Sequence, residues 1–181
     1  MLFTLGADCP STTDLDEGFH VTPAGLELRP AALPATVSAS TDALPFAQVA
    51  VAWWNEALGC EVLELVDGAA DVFMTTGLVP ASTEDVDSGG EPLGLAEVDY
   101  AEDGTVLGGT ITIAYEITYD AETSEQVARH ELGHLPLALA DDPGPPTTVD
   151  LRSVMASPLD PLGVLTDGDR ARLEPFLAWC P

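Results

Sequence analysis

Three residues in the stretch "VARHELGH" stand at a spacing that can do chemistry: His130, Glu131 and His134. On an α-helix, positions four apart lie on one face about a turn from each other, so both imidazoles can point a nitrogen at one cation. Glu131 sits beside them, where its carboxylate can hold a metal-bound water instead of the metal. Zinc lowers the pKa of such a water toward neutrality, and the carboxylate takes its proton as the oxygen attacks a carbonyl. Those are the parts of a peptide hydrolase. The plainer alternative is an ordinary helix with histidines on one face. It sits poorly with a chain that has 3 histidines in all and spends two of them here. The third, His20, lies in a Pro-rich segment and reads as a surface residue.

The motif needs a helix, and the sequence predicts one from about Asp120 to Leu135, with Thr123 and Gln126 as its capping box. Gly133 removes a side chain inside the motif, which leaves room for another element to pack closely. The strand-like run "GGTITIAY" leads into this helix, and "CEVLELV", "ADVFMTTG" and "LGLAEVDY" come before it. Turn clusters at Asp67-Gly68, Ser88-Gly89-Gly90 and Asp103-Gly104 separate them. "YAEDGT" lacks the alternating oxygen ligands of an EF-hand loop and reads as a hairpin turn. Earlier, Phe46, Val49, Ala50, Trp53, Ala57 and Leu58 recur at helical spacing, with Pro45 suited to the first turn and Gly59 to the stop. A tryptophan of the Trp53-Trp54 pair belongs to the core stripe of that helix. Residues 8 to 40 read as an extended segment with one or two strands, in "FHVTPAGLEL" and "ATVSAS". Beyond the motif comes a loop region from Pro136 to Leu165, then a last helix from Thr166 to about Glu174, ended by Pro175.

At 181 residues and 46% apolar, the chain is the size of one domain with its own core. No apolar run is long enough to span a membrane. Acidic residues number 31 against 5 basic ones, all arginine, for a net charge of −26. Such a surface repels phosphate backbones and anionic lipid, which argues against nucleic-acid and membrane partners and favours solubility. Cys9, Cys60 and Cys180 match no metal-ligand spacing and allow one disulfide with one thiol left over. The pairing stays open, with a bond from Cys180 favoured because it ties down the tail. A disulfide implies an oxidising compartment and hence a secreted or extracellular protein. "MLFTLGADC" has a short apolar run without a basic leader, so it is not a complete signal peptide.

The Gly-rich strand, the "HELGH" helix, the "SVMASP" turn and the "LTDGD" helix start occur in one order over about residues 45 to 178. In that order they resemble the metzincin zinc peptidases, most of all the matrixin-like and snapalysin-like secreted bacterial members. The resemblance implies an α+β, zincin-type catalytic domain. Its mixed twisted β-sheet and two long helices lie above an irregular C-terminal subdomain ending in a helix. It implies one metallopeptidase-like domain over 1–181, with an extended N-terminal segment (1–42), an upper subdomain (43–135) and a lower one (136–181). The implied activity is that of a monomeric zinc endopeptidase acting on protein or peptide, with one catalytic zinc. His130 and His134 are metal ligands, Glu131 the general base, and Met155 an apolar floor beneath the metal; on its own, Met155 reads as core filler. An edge strand, "GLAEVDY" or "GGTITIA", pairs with extended substrate. "ASPLDPLGVL" walls a pocket whose Leu159, Leu162 and Val164 favour an apolar residue.

The family pattern breaks after the second histidine. H-E-x-x-H-x-x-G-x-x-H/D puts its glycine at Leu137 and its third ligand at Ala140, and neither residue can serve. Read as one residue longer, with Pro136 helping to end the helix, the segment brings Asp141 to the ligand position. Asp142 is its neighbour, and Asp150 is a more distant alternative. The lost glycine also motivates a different function: a catalytically weak or inactive pseudo-peptidase that binds extended peptide segments. Retention of Glu131 speaks against it, since a structural zinc has no use for a neighbouring base. Cys9 as a zinc-ligating latency switch ranks below a disulfide.

Overall fold

The computed structural model describes residues 2–6, 19–79, 93–118, 120–140, 154–155 and 163–180. Its strands are β1 (Leu2–Gly6), β2 (Ala35–Ala39), β3 (Leu63–Leu65), β4 (Val72–Gly77), β5 (Gly94–Tyr100) and β6 (Val106–Ala114). Its α-helices are α1 (Leu44–Leu58), α2 (Ala121–His134) and α3 (Asp167–Leu173). All six strands join one sheet in the order β1-β5-β6-β4-β2-β3. β3, β2, β4 and β6 pair in parallel, and β5 and β1 are added antiparallel. The α+β class with a mixed sheet is therefore what the chain adopts. Among the described residues, no helix is long and apolar enough to cross a membrane.

Strand alternation gives the sheet a buried face. Val37, Val72, Met74, Ile111 and Ile113 are fully buried and share one cluster with Ala47, Trp54, Val127 and Leu132 of the helices. Phe73, between Val72 and Met74, is exposed. α1 and α2 pack against each other, and Asn55 fastens α1 to the sheet. Its amide nitrogen donates to the Leu63 carbonyl at 2.8 Å, and its oxygen accepts from the Val62 and Leu63 N–H groups at 2.9 and 3.0 Å.

One expectation changes. The core tryptophan of α1 is Trp54, fully buried, because its indole reaches α2 and donates to the Arg129 carbonyl at 2.9 Å. Trp53 of the expected stripe is half-buried and meets the Arg129 guanidinium 5.7 Å from its ring centre. The strand expected in "ATVSAS" forms as β2, an interior strand between β3 and β4. "LFTLG", the apolar run at the start, is a sheet strand as well.

The predicted hairpin stands: β5 and β6 are joined by a turn in which Gly104, at φ 86, donates its N–H to Ala101. α3 begins where expected, with Thr166 and Asp169 exchanging side-chain-to-backbone hydrogen bonds in a capping box. Cys180 bonds to Cys60 across 120 residues and ties the tail after α3 to the end of α1. Cys9 lies outside the described residues.

Candidate metal centre

The motif helix starts on Asp120. Its carboxylate accepts from the Thr123 hydroxyl at 2.7 Å and the Thr123 N–H at 3.4 Å. The capping box expected at Thr123 and Gln126 therefore falls inside the helix; a carboxylate one turn earlier meets the free N–H groups and the positive end of the dipole. The Thr123 hydroxyl and then its N–H hold the Asp120 carboxyl below the usual carboxylate range. Ser124 anchors the same turn by donating to the Ile117 carbonyl at 3.0 Å.

At the other end, His130 to His134 are all buried. His130 Nδ1 lies 3.0 Å from the Val154 carbonyl, and His134 Nδ1 lies 2.8 Å from the Leu139 carbonyl. A carbonyl oxygen only accepts, so each Nδ1 carries a proton, and Nε2 is the nitrogen of each ring placed to meet a metal. Those two Nε2 atoms are 3.0 Å apart, with the rings nearly perpendicular at 89°. Ligand nitrogens on one tetrahedral zinc stand roughly 3.3 Å apart, so the pair fits the ion. The two orienting carbonyls come from separate segments, an outer-shell arrangement that fixes both tautomer and ring direction.

Met155 and Gly133 belong together. Met155 is fully buried, and a side chain at Gly133 would collide with its Sδ and Cε and stand 3.2 Å from Trp54 Cζ2. Gly133 thus leaves the room the sequence suggested, and the turn of Met155 and the α1 tryptophan fill it. Val154 N–H donates to the Val164 carbonyl at 2.8 Å, which holds that turn against the strand-like residue before α3. Glu131, also fully buried, directs its carboxylate against Gly94 at the start of β5.

α2 stops at His134, and Leu135 is extended (φ −134, ψ 112), as a residue before proline prefers. The left-handed turn residue is Ala138, at φ 60, one position later than Leu137, where the family pattern has its glycine. Asp141, Asp142 and Asp150 lie outside the described residues, as do Leu159 and Leu162. Among the described residues no group of three His, Cys, Asp or Glu side chains converges as a metal site.

Neither expected strand is an open edge. β6 lies between β5 and β4, and β1 covers β5, from Leu2 opposite Asp99 to Gly6 opposite Leu95. Unpaired N–H and C=O groups on an edge are a template for another strand, and the chain's own N-terminal residues satisfy them. Sequence reading also missed the support of the helix exit: Phe19 bridges Leu139, and the half-buried His20 donates its N–H to the Ala138 carbonyl at 2.8 Å. Backbone pairing between distant segments leaves no local signal to find.

No family model and no curated relative matches this sequence. Solved structures similar to it include one described as "Crystal structure of myroilysin", 13% identical with TM-score 0.48, covering 86% of this chain and 88% of that one. Another, "Structure of Myroilysin", is 12% identical with TM-score 0.45, covering 82% and 81%. Likeness of this extent bears on neither the site nor its chemistry.

Proposed function

We propose that the chain is a zinc-dependent endopeptidase in which His130 and His134 hold the metal, Asp141 completes the protein ligands and Glu131 is the general base. One observation carries the reading: two buried Nε2 atoms 3.0 Å apart, each in a ring whose Nδ1 is committed to a backbone carbonyl. Zinc, when bound, supplies a Lewis acid that polarises the scissile carbonyl and acidifies water. Glu131 takes the proton from the attacking water and passes it to the leaving amine. Burial holds its carboxylate against Gly94, on the same helix as the histidine pair, and Met155 gives the helix an apolar backing at Gly133.

The left-handed turn at Ala138 supports Asp141, because a turn one residue late moves the ligand position from Ala140 to Asp141. The Cys60–Cys180 disulfide supports an oxidising, extracellular setting, and the charge of −26 a soluble monomer acting on protein or peptide without nucleic-acid or membrane partners. A second reading, a pseudo-peptidase that binds extended segments, is favoured by the pairing of residues 2–6 along β5.

Zinc titration and casein cleavage test both. Expected are one zinc per chain, lost in His130→Ala, and cleavage abolished by a chelator and by Glu131→Ala while the latter keeps its zinc. Zinc content then assigns the third ligand: Asp141→Ala loses the metal and Asp142→Ala keeps it, and full retention in Asp141→Ala overturns that assignment. A zinc-loaded chain that cleaves nothing over a wide pH and substrate range supports the binding reading. Absence of zinc binding means the imidazoles share a proton instead, and overturns the metal centre.

A further inference from the structure

We infer that Gly94 is a positioning residue for Glu131; its kinetic consequence rests on the peptidase reading, its geometry does not. Gly94 opens β5 opposite Ile113 of β6. Its φ lies outside the left-handed range, so the backbone there suits any residue. Glycine inside a strand weakens it and often marks the close approach of another group. Here that group is on α2. A Cβ at position 94 would collide with Glu131 Oε1, stand 3.0 Å from Glu131 Cδ and 2.6 Å from Val127 Cγ1.

Val127 and Glu131 are four residues apart, so they share the face of α2 that packs on the start of β5. Neither has solvent to turn into. Both are fully buried, and a valine in a helix has essentially one χ1 rotamer. Gly94→Ala therefore displaces the carboxylate or the strand end. The imidazoles stay, because the Val154 and Leu139 carbonyls fix them from other segments. Gly77, at the end of β4, is the matched control. Its φ is also outside the left-handed range, and a Cβ there meets only the Thr112 methyl at 3.0 Å.

Displacing a reacting group by on the order of 1 Å costs roughly 100-fold in rate. Gly94→Ala should lower kcat by about 10- to 100-fold, with KM and zinc affinity each within about 2-fold of the parent. Gly77→Ala should leave kcat unchanged. In a Glu131→Asp background, whose carboxylate is one methylene shorter, Gly94→Ala should cost less than about 3-fold.

Thermal unfolding gives a readout that needs no activity. Gly94→Ala should lower Tm, and the loss should shrink by about half or more in a Glu131→Ala background, where only the Val127 contact remains. This double variant also covers the case in which Gly94→Ala alone does not fold. Parental kcat in Gly94→Ala, or the same Tm loss with and without the Glu131 carboxylate, overturns the inference. If the zinc-loaded parent cleaves nothing, the peptidase reading fails and the Tm cycle alone decides whether Gly94 positions the carboxylate.

Discussion

Ala138 carries a backbone conformation that its side chain resists. At φ 60 it occupies the left-handed region, yet it is fully buried in the turn that brings the Leu139 carbonyl to His134. Left-handed geometry costs a non-glycine residue roughly 1–2 kcal/mol. A glycine would relieve that, but it would also forfeit a buried methyl worth about 0.8 kcal/mol and gain freedom in the unfolded chain. Ala138→Gly is thus expected to change stability by less than about 1 kcal/mol. Ala138→Val is a different matter. A β-branched residue is a genuine outlier at positive φ and overfills the site, so it should cost roughly 2–4 kcal/mol. Urea unfolding of the two variants checks this order. A valine variant as stable as the parent would mean that the turn is not left-handed here. On the zinc reading, the valine variant should also bind the metal less tightly, because the carbonyl that orients His134 moves with the turn.

α2 carries His130, Glu131 and His134, and its first turn depends on an exposed carboxylate. Hydrogen bonds from Thr123 depress the Asp120 pKa below its ordinary value of 3.8. A depressed folded pKa means that this stabilisation is fully present above about pH 4 and is lost as pH falls through the folded value. Asp120→Ala should therefore be less stable than the parent near pH 7, with the gap narrowing in acid. Asp120→Asn, a neutral cap that still accepts hydrogen bonds, should lie between them and lack the acid-side loss. Chemical unfolding at about pH 7 and pH 3 reads all three; a gap that does not depend on pH would mean that Asp120 does not cap as a carboxylate. Signals of this range are what the sequence makes legible. The i, i+4 histidines, the Gly59 stop and the Thr166 start all sit within one or two turns of the residues they govern. Trp54 could not be told from Trp53, because both fall near one broad helical stripe and only the neighbouring α2 carbonyl decides between them. The Nδ1 partners were equally hidden, since a backbone carbonyl has no residue type.

The whole chain closes on its own first residues. Residues 2–6 add to β5 at the end of the sheet, and their register runs from Asp99 toward Leu95, one residue from the Gly94 that faces Glu131. The disulfide makes an independent closure at the other end, and a loop of 120 residues suggests a loss of about 2–5 kcal/mol on Cys60→Ser/Cys180→Ser. The two closures differ in what they cover. The disulfide joins the ends of helical segments, whereas β1 takes up hydrogen-bonding groups that any extended peptide could use. A chain lacking residues 1–6 should therefore show faster amide exchange at those β5 positions that bond to β1, while β6 amides bonded to β4 keep their protection. On the peptidase reading, substrate and residues 2–6 compete for one row of N–H and C=O groups. Their competition reduces the fraction of chains open to substrate and leaves the chemical step alone. The shortened chain should then show a lower KM for an extended substrate with kcat unchanged, and a synthetic peptide of residues 1–6 added back should raise KM again. An unchanged KM beside faster β5 exchange would mean that substrate approaches the histidine pair without using this edge.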